Sequence, residues 1–385
     1  MALKAYDIVV IGGGVIGLSV AYHARQAGLG SVVVVERHPV PGAESSSKAN
    51  GGIRAQFATA INIDFSMHSI RRLRELDDAT DGLPGFKQAG YLFMTGSVER
   101  AAAIQRSLAL QVSHGVPARW LDPAAILEQA PFVRRDGLVG GTFCAIDGIF
   151  DPGGLVAAYW QQCRRLDVNF IFETSVTGLR LDPRGIVVET SSGTIRAGAV
   201  VNAAGAYAAA IAAMLGVDLP VFPQRRNLAC TEPAPGYPAT IPMCVDLDTG
   251  VLVRREAEGF LLAYSNPDDP PGYAIDFDDA FLDDLAERVP NRFPFLSTIP
   301  IDRRKCWAGL YPETPDHHAI VGAAPGIGGF IQCVGFGGHG LMHSPAAGKA
   351  VSELLEHGEC RSFDLHPLRP SRFAEGDLTV EAAVL

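Results

Sequence analysis

The chain has 385 residues, and at about 150 residues per domain this length predicts two or three domains. A hydrophobic fraction of 48% and a charged fraction of 19% predict a globular protein with a large core and exclude a disordered chain. The net charge of −10, without a long run of lysine and arginine, is unsuited to phosphate backbones, so no nucleic-acid partner is expected.

Seven widely spaced cysteines, none in a Cys-x-x-Cys motif, predict reduced thiols and no metal site. The N-terminus lacks a basic segment followed by a long apolar one, and the apolar run at 199–215 is too short and alanine-rich to span a bilayer. We therefore expect a cytoplasmic protein without a membrane anchor.

The N-terminal segment predicts one βαβ unit. Residues 6–11 form an apolar, β-branched run typical of a strand buried on both faces, and residues 31–35 form a second run that ends at Glu36. Between them, residues 18–27 predict a helix that stops at Gly28.

A glycine motif, Gly12-x-Gly14-x-x-Gly17, joins the first strand to this helix. In a dinucleotide site Gly12 makes the tight turn, Gly14 lets the backbone approach a pyrophosphate, and Gly17 lets the helix pack against the strand. The positive end of the helix would hold the phosphates, and Glu36 would accept hydrogen bonds from the adenosine ribose. The motif predicts a dinucleotide cofactor but does not distinguish FAD from NAD.

The rest of the chain alternates between two kinds of sequence. Helices are predicted at 63–76, 98–114, 153–163 and 344–355, and strands at 91–94, 169–172, 185–190, 197–202 and 329–334. Between 220 and 300 prolines multiply and short strand signals appear, which is typical of a mixed or antiparallel sheet. We predict an α/β, Rossmann-like nucleotide-binding domain interleaved with an α+β, antiparallel-sheet substrate domain.

Six separated blocks give the chain a resemblance to a known family. They are the glycine motif with Glu36-Arg37, residues 45–54, Asp147-Gly148-x-x-Asp151-Pro152, residues 201–205, residues 309–316 and residues 335–340. In these blocks the chain resembles the FAD-dependent oxidoreductases related to D-amino acid oxidase, glycine oxidase, sarcosine oxidase and dimethylglycine dehydrogenase. Within them it is most similar to the sarcosine oxidase and proline dehydrogenase β-subunit branch. The resemblance implies a glutathione-reductase-type FAD-binding domain at 1–86, 143–216 and 307–385, and a substrate-binding domain at 87–142 and 217–306.

The resemblance also implies which residues bind FAD. They are Gly12, Gly14, Val15, Ile16, Gly17, Glu36, Arg37, Ser45, Ser46, Asn50, Gly51, Gly52, Val176, Ala203, Ala204, Gly205, Gly309, Gly335, Gly337, Gly338, His339, Gly340 and Leu341. Residues 335–340 form a second glycine cluster, the C-terminal one. Its backbone N–H groups, with the helix that follows, would stabilise negative charge on reduced flavin. Gly309 stands where monomeric sarcosine oxidases attach flavin to a cysteine, which implies non-covalent FAD.

Arg54 ends the serine- and glycine-rich loop, and a guanidinium matches a carboxylate with two parallel hydrogen bonds. The resemblance implies that Arg54 grips the carboxylate of an amino-acid-like substrate. Tyr264 and Tyr311 match positions on the substrate side of the flavin, and His339 is expected to contact either the flavin or the substrate. All three are predicted to serve the reaction. Gln56 and Arg225 are further candidates for the substrate cavity.

These residues predict FAD-dependent oxidation of the C–N bond of a small amino acid or N-alkyl amino acid, such as sarcosine, proline or glycine. Hydride would pass from carbon to flavin N5, and the imine would be hydrolysed. Residues 260–265 lack the oxygen-activating lysine of monomeric sarcosine oxidases, with Leu261 at the matching position. This implies another electron acceptor, either a partner or a subunit of a hetero-oligomer. Two alternatives stay open: a 2-hydroxy-acid dehydrogenase, and a flavin-binding assembly protein without turnover.

Overall fold

The computed structural model describes residues 4–266 and 268–382, which form two eight-stranded sheets and a two-stranded ribbon. The strands are β1 Lys4–Ile11, β2 Val32–Val35, β3 Gly52–Ile53, β4 Tyr91–Thr95, β5 Ala118–Leu121, β6 Gly140–Cys144, β7 Gly148–Ile149, β8 Asn169–Ile171, β9 Val176–Asp182, β10 Gly185–Thr190, β11 Gly193–Asn202, β12 Phe222–Cys230, β13 Met243–Asp246, β14 Leu252–Glu256, β15 Gly259–Ala263, β16 Trp307–Glu313, β17 Ile320–Ala323 and β18 Phe330–Val334. The α-helices are α1 Val15–Gln26, α2 Ala60–Ala79, α3 Val98–Ser113, α4 Pro123–Gln129, α5 Pro152–Arg165, α6 Ala208–Ala213, α7 Ala280–Arg292, α8 Gly340–His357 and α9 Arg372–Glu375.

The first sheet carries the βαβ unit and has the strand order β17-β18-β11-β1-β2-β8, with β10 and β9 attached to β11 as an antiparallel meander. β1 runs parallel to both β2 and β11. Val10 and Val34 pack in the cluster that includes α1 and α8, whereas Val9 and Val33 pack with α6 and the meander. The two β-branched runs are therefore buried on both faces, as predicted, because elements cover each side of the sheet.

The second sheet has the order β16-β12-β15-β14-β13-β4-β6-β5 and is antiparallel except for the parallel pair β13 and β4. One of its faces packs against α4 and α7. The other face carries Tyr91, Leu228 and Leu261. The boundaries predicted at 143 and 307 are wrong for the sheets, because β6 and β16 pair with strands of this second sheet.

Helices α1 and α8 approach closely because small residues face each other. A Cβ added at Gly348 would lie 2.5 Å from His23 Nδ1, and Ser19 Oγ donates a hydrogen bond of 2.6 Å to Ser344 O. Helix α8 begins at Gly340 rather than at the predicted residue 344, so Pro345 lies inside the helix. Proline cannot donate to Leu341 O, and Ser344 Oγ donates to that carbonyl instead at 2.9 Å.

In the part of the chain that the structure describes, no helix combines the length and the apolar character needed to cross a membrane. All seven cysteines are free thiols, and five of them are buried.

Candidate functional site

A cleft of about 330 Å³ opens where β1 and β11 end. Gly12 makes the turn after β1 with φ +108°, and a Cβ added there would lie 2.5 Å from Ala203 O. Gly17 seats α1 on this turn, because a Cβ added at Gly17 would lie 1.9 Å from Gly12 O. The start of α1 is thereby held at the cleft, where its N–H groups and its dipole can bind an anion.

Two side chains shape the wall of the cleft beside α1. Ser46 Oγ accepts a hydrogen bond of 3.0 Å from Val15 N. The Glu36 carboxylate accepts bonds of 2.6 Å from Gly13 N and 2.8 Å from His38 N, which hold it at the end of β2. An ionised carboxylate has about four acceptor positions, so Glu36 can also accept bonds from a ribose.

Most of the residues predicted to bind the cofactor line this cleft. They are Gly12, Gly14, Val15, Ile16, Glu36, Arg37, Ser45, Ser46, Val176, Ala203, Ala204, Gly205, Gly335, Gly337, Gly338, Gly340 and Leu341. Six others do not line it: Gly17, Asn50, Gly51, Gly52, Gly309 and His339. Gly17 supports the helix, and the remaining five lie around Arg54 and β16. The two glycine clusters, more than 300 residues apart in sequence, therefore share one cleft.

Several lining residues were missed because they come from segments without a motif. They include Thr174, Tyr207, Ile211 and Met214. Phe336 was also missed, although it lies inside the glycine-rich block at 335–340. Tyr207 bridges the cleft, since Arg37 Cζ lies 3.7 Å from the centroid of its ring. Its only sequence signal is its position two residues after the predicted Gly205.

Arg54 follows β3 and is buried, with 1% of its surface exposed. Its guanidinium stacks on Phe57, with Cζ 3.9 Å from the ring centroid, and it donates a hydrogen bond to Gln56 O. Burial lowers the pKa of Arg54, but a guanidinium stays charged at any ordinary pH. A buried permanent cation attracts an anion more strongly than an exposed one, because water screens it less.

His339 belongs to the C-terminal glycine cluster, and its side chain lies beside Arg54. Its Nε2 is 3.4 Å from Arg54 Nη2, and its ring meets Phe57 edge to face with centroids 4.9 Å apart. Burial and the charge of Arg54 lower the pKa of His339 well below its ordinary value. His339 is therefore neutral and adds no second positive charge to the cluster.

Asp147 is a buried residue of this cluster to which the sequence analysis assigned no role. Its Oδ1 accepts a hydrogen bond of 2.9 Å from Ala55 N, and its Oδ2 accepts one of 3.0 Å from Gln56 Nε2. Burial raises the pKa of Asp147 to about 7, against the opposing effects of these bonds and of Arg54. The sequence signal was present, since Asp147 opens one of the six family blocks.

Tyr311 contacts the C-terminal glycine cluster from the second sheet. A Cβ added at Gly338 would lie 2.7 Å from the Tyr311 ring, and Arg226 Cζ lies 5.5 Å from the ring centroid. Burial raises the pKa of Tyr311, so its hydroxyl keeps its proton. Arg226 was missed, and it also approaches Glu313 at 3.9 Å.

Tyr264 and Arg225 lie away from this site, and both predictions are wrong. The Tyr264 ring stacks on Phe281 of α7 with centroids 5.0 Å apart, in the core on the opposite face of the second sheet. Arg225 pairs with Asp278 at 2.7 Å. Side chains alternate between the two faces of a strand, so a register error of one residue reverses the face.

Comparison with known proteins places these features in a family. The DAO family, described as FAD dependent oxidoreductase, matches residues 7–354. The chain is 28% identical over 392 residues to mitochondrial dimethylglycine dehydrogenase of Rattus norvegicus, covering 97% of this chain and 45% of that protein. The chain thus spans less than half the length of that relative. It is 29% identical to FAD-dependent oxidoreductase domain-containing protein 1 of Bos taurus, over 98% of this chain and 87% of that protein.

Solved structures show the same architecture. The L-proline dehydrogenase from P. horikoshii superposes with a TM-score of 0.92 at 27% identity, covering 98% of this chain and 100% of that one. Glycine oxidase from Geobacillus kaustophilus has a TM-score of 0.85 at 24% identity, covering 96% of this chain and 99% of that one, and that likeness concerns the fold alone.

Proposed function

Since the chain belongs to the FAD-dependent oxidoreductase family, with FAD as its cofactor, we propose that it oxidises the C–N bond of a small amino acid or N-alkyl amino acid to an imine. The observation that carries this proposal is the buried Arg54 beside the cleft, with a neutral histidine against it. Proteins of similar sequence or structure are named for dimethylglycine, sarcosine and L-proline, all small amines with a carboxylate.

The residues of the cleft fit FAD. The N-terminal end of α1 can bind the phosphates, and the carboxylate of Glu36 can accept hydrogen bonds from the ribose. The second glycine cluster provides further backbone N–H donors along the cleft. Bound FAD would supply the acceptor for the hydride that leaves the substrate carbon. We propose that FAD is held without a covalent bond, because Gly309 offers no side chain for one.

Arg54 orients the substrate through its carboxylate. The stacking on Phe57 and the bond to Gln56 O hold the guanidinium in place before the substrate arrives, so little side-chain freedom remains to be lost on binding. Because His339 is neutral, its ring adds no second positive charge beside the guanidinium. Water then hydrolyses the released imine to a carbonyl compound and an amine or ammonia.

We also propose that electrons leave to an acceptor other than oxygen. Leu261 lies on the face of the second sheet that also carries Tyr91 and Leu228, and it is fully buried. An apolar side chain there provides no positive charge to stabilise a superoxide-like intermediate. The test is the rate of flavin reoxidation after reduction by substrate, in air and with an artificial dye; reoxidation in air as fast as with the dye would contradict this proposal.

The decisive experiment is anaerobic titration of the holoenzyme with sarcosine, proline, hydroxyproline, glycine, D-amino acids and 2-hydroxy acids, followed by the loss of oxidised-flavin absorbance. Reduction by amino acids supports the proposal. Reduction by hydroxy acids alone would assign the chain to the 2-hydroxy-acid dehydrogenases, and no reduction by any of them would favour an assembly protein.

Substitution of Arg54 tests the role of the guanidinium. Arg54→Ala should keep the protein yellow and raise the substrate Kd about 30- to 1,000-fold, because a buried charge-assisted pair is lost. Arg54→Lys keeps the charge but not the two parallel bonds, so its substrate Kd should lie between those of the wild type and Arg54→Ala. The matched control is Arg225→Ala, an arginine on the opposite face of the second sheet, which should leave the Kd unchanged. Equal effects of the two alanine variants would refute the role of Arg54.

A further inference from the structure

Gln56 makes one half of its hydrogen bonds inside the protein and leaves the other half unused. It is 2% exposed, and its Nε2 donates bonds of 3.1 Å to Tyr91 O and 3.0 Å to Asp147 Oδ2. Among the described residues, its Oε1 has no hydrogen-bond partner. A buried acceptor without a partner is costly, so it marks a place where a donor is expected to arrive.

The orientation of this amide follows from its partners. A backbone carbonyl such as Tyr91 O can only accept, so the NH2 group of Gln56 must point toward it. The second N–H is taken by Asp147, whose other oxygen accepts from Ala55 N at 2.9 Å. Asp147 therefore holds both the backbone and the side chain of the segment that follows Arg54.

The amide belongs to the same buried cluster as the guanidinium. Arg54 donates to Gln56 O, and the charge of Arg54 acts on both Asp147 and Tyr91. In an α-amino acid the nitrogen is separated from the carboxylate carbon by one carbon atom, so groups that bind the two ends must lie close together. Arg54 Nη1 donates to the backbone carbonyl of Gln56, so the guanidinium lies beside the residue that carries the amide.

We propose that Gln56 is a specificity-determining residue, whose Oε1 accepts a hydrogen bond from an N–H of the substrate amine while Arg54 binds the carboxylate, and that Asp147 is the positioning residue that fixes the amide. This inference rests on the proposed function and narrows its substrate class. Neutral primary and secondary amines, the forms that lose hydride, carry an N–H. A neutral tertiary amine such as N,N-dimethylglycine carries none and would leave Oε1 unpaired. The enzyme therefore takes primary or secondary amino acids in preference to N,N-dialkyl ones.

The test compares two planar acids that differ in one group: pyrrole-2-carboxylate has a ring N–H where 2-furoate has an oxygen. Each is titrated into the holoenzyme, and binding is read from the change in the flavin spectrum, without turnover. The wild-type protein should bind pyrrole-2-carboxylate about 10- to 100-fold more tightly, because 2-furoate places an acceptor against an acceptor. Equal binding of both acids by a protein that amino acids do reduce would overturn this inference and leave the proposed function intact. Binding of neither acid would overturn this inference, and failure of amino acids to reduce the flavin would overturn the proposed function as well.

Two variants separate a specific role from a structural one. Gln56→Leu removes the acceptor and should bring the ratio of the two Kd values close to 1. Asp147→Asn would place one NH2 group against another, while Tyr91 O still requires the NH2 group of Gln56, so the amide loses a fixed position and the ratio should fall toward 1. Under the same reasoning, Gln56→Leu should reduce the preference for sarcosine over N,N-dimethylglycine in anaerobic flavin reduction. A wild-type ratio in Gln56→Leu, or an equal loss of affinity for both acids in each variant, would overturn the proposal.

Gln111 provides the matched control. It is 4% exposed, its Nε2 donates to Phe57 O at 2.9 Å, and its Oε1 also lacks a partner among the residues that the structure describes. This hydrogen bond goes to Phe57 O and does not involve Asp147. Gln111→Leu should therefore change stability without changing the ratio of Kd values, and a change in that ratio would count against the assignment to Gln56.

Discussion

Replacing the glycines at the start of α1 by alanine should have different effects at Gly17 and at Gly14, one mainly on protein stability and the other on FAD binding. At Gly17 the new Cβ would lie 1.9 Å from Gly12 O, about 1.1 Å inside the 3.0 Å limit for such contacts, and the obstacle is backbone. At Gly14 the nearest atom would be Ser46 Oγ at 3.2 Å, and the backbone there, with φ −72°, suits alanine. The first substitution must displace α1, whereas the second fills space in the cleft.

We therefore expect Gly17→Ala to destabilise the apoprotein by about 1–3 kcal/mol, as overpacking does, and also to weaken FAD binding, because the helix end moves. Gly14→Ala should leave the apoprotein within about 1 kcal/mol of the wild type and weaken FAD binding at least tenfold. Urea unfolding of the apoproteins measures the first quantity, and quenching of flavin fluorescence on reconstitution measures the second. Equal apoprotein stability in the wild type and Gly17→Ala would refute the reasoning, as would an equal loss of stability in both variants.

Three further outcomes are expected. Arg372 and Asp316 form an ion pair in which neither side chain is exposed (0%), so Arg372→Met should lower the free energy of unfolding in urea by about 3–5 kcal/mol. Adding Asp316→Asn should recover part of that loss, because it removes the unpaired charge. No recovery would mean that lost packing, and not the unpaired charge, causes the destabilisation. Burial lowers the pKa of His23 from 6.5 to about 4. The stability that the neutral histidine contributes, about 3 kcal/mol, is therefore complete above pH 6.5 and is lost as the pH falls through 4. His23→Gln should show a correspondingly smaller loss of stability between pH 7 and 4. Acid or heat denaturation should release all flavin to the supernatant, and a yellow precipitate would disprove the non-covalent attachment.

The features that sequence analysis predicted well depend on short-range patterns. The β-branched runs of β1 and β2 and the glycine spacing before α1 act within one βαβ unit, so neighbouring residues determine them. Arg54 was recognised because it ends a family block. Asp147 also opens a family block, but its role was missed because its partners Ala55 and Gln56 lie about 90 residues earlier in the chain. Arg225 was chosen instead of Arg226 because the phase of β12 depends on its pairing with β15 and β16.

The amino-acid sequence alone determined the dinucleotide unit, the family and the arginine that ends the loop, because local backbone preferences and residue spacing carry that information. Only the tertiary structure decided that β6 and β16 join the second sheet, that Tyr264 points away from the site, and that Gln56 is held by Asp147 next to Arg54. Strand pairing and buried hydrogen bonds join residues distant in sequence, and their register depends on how the whole chain packs.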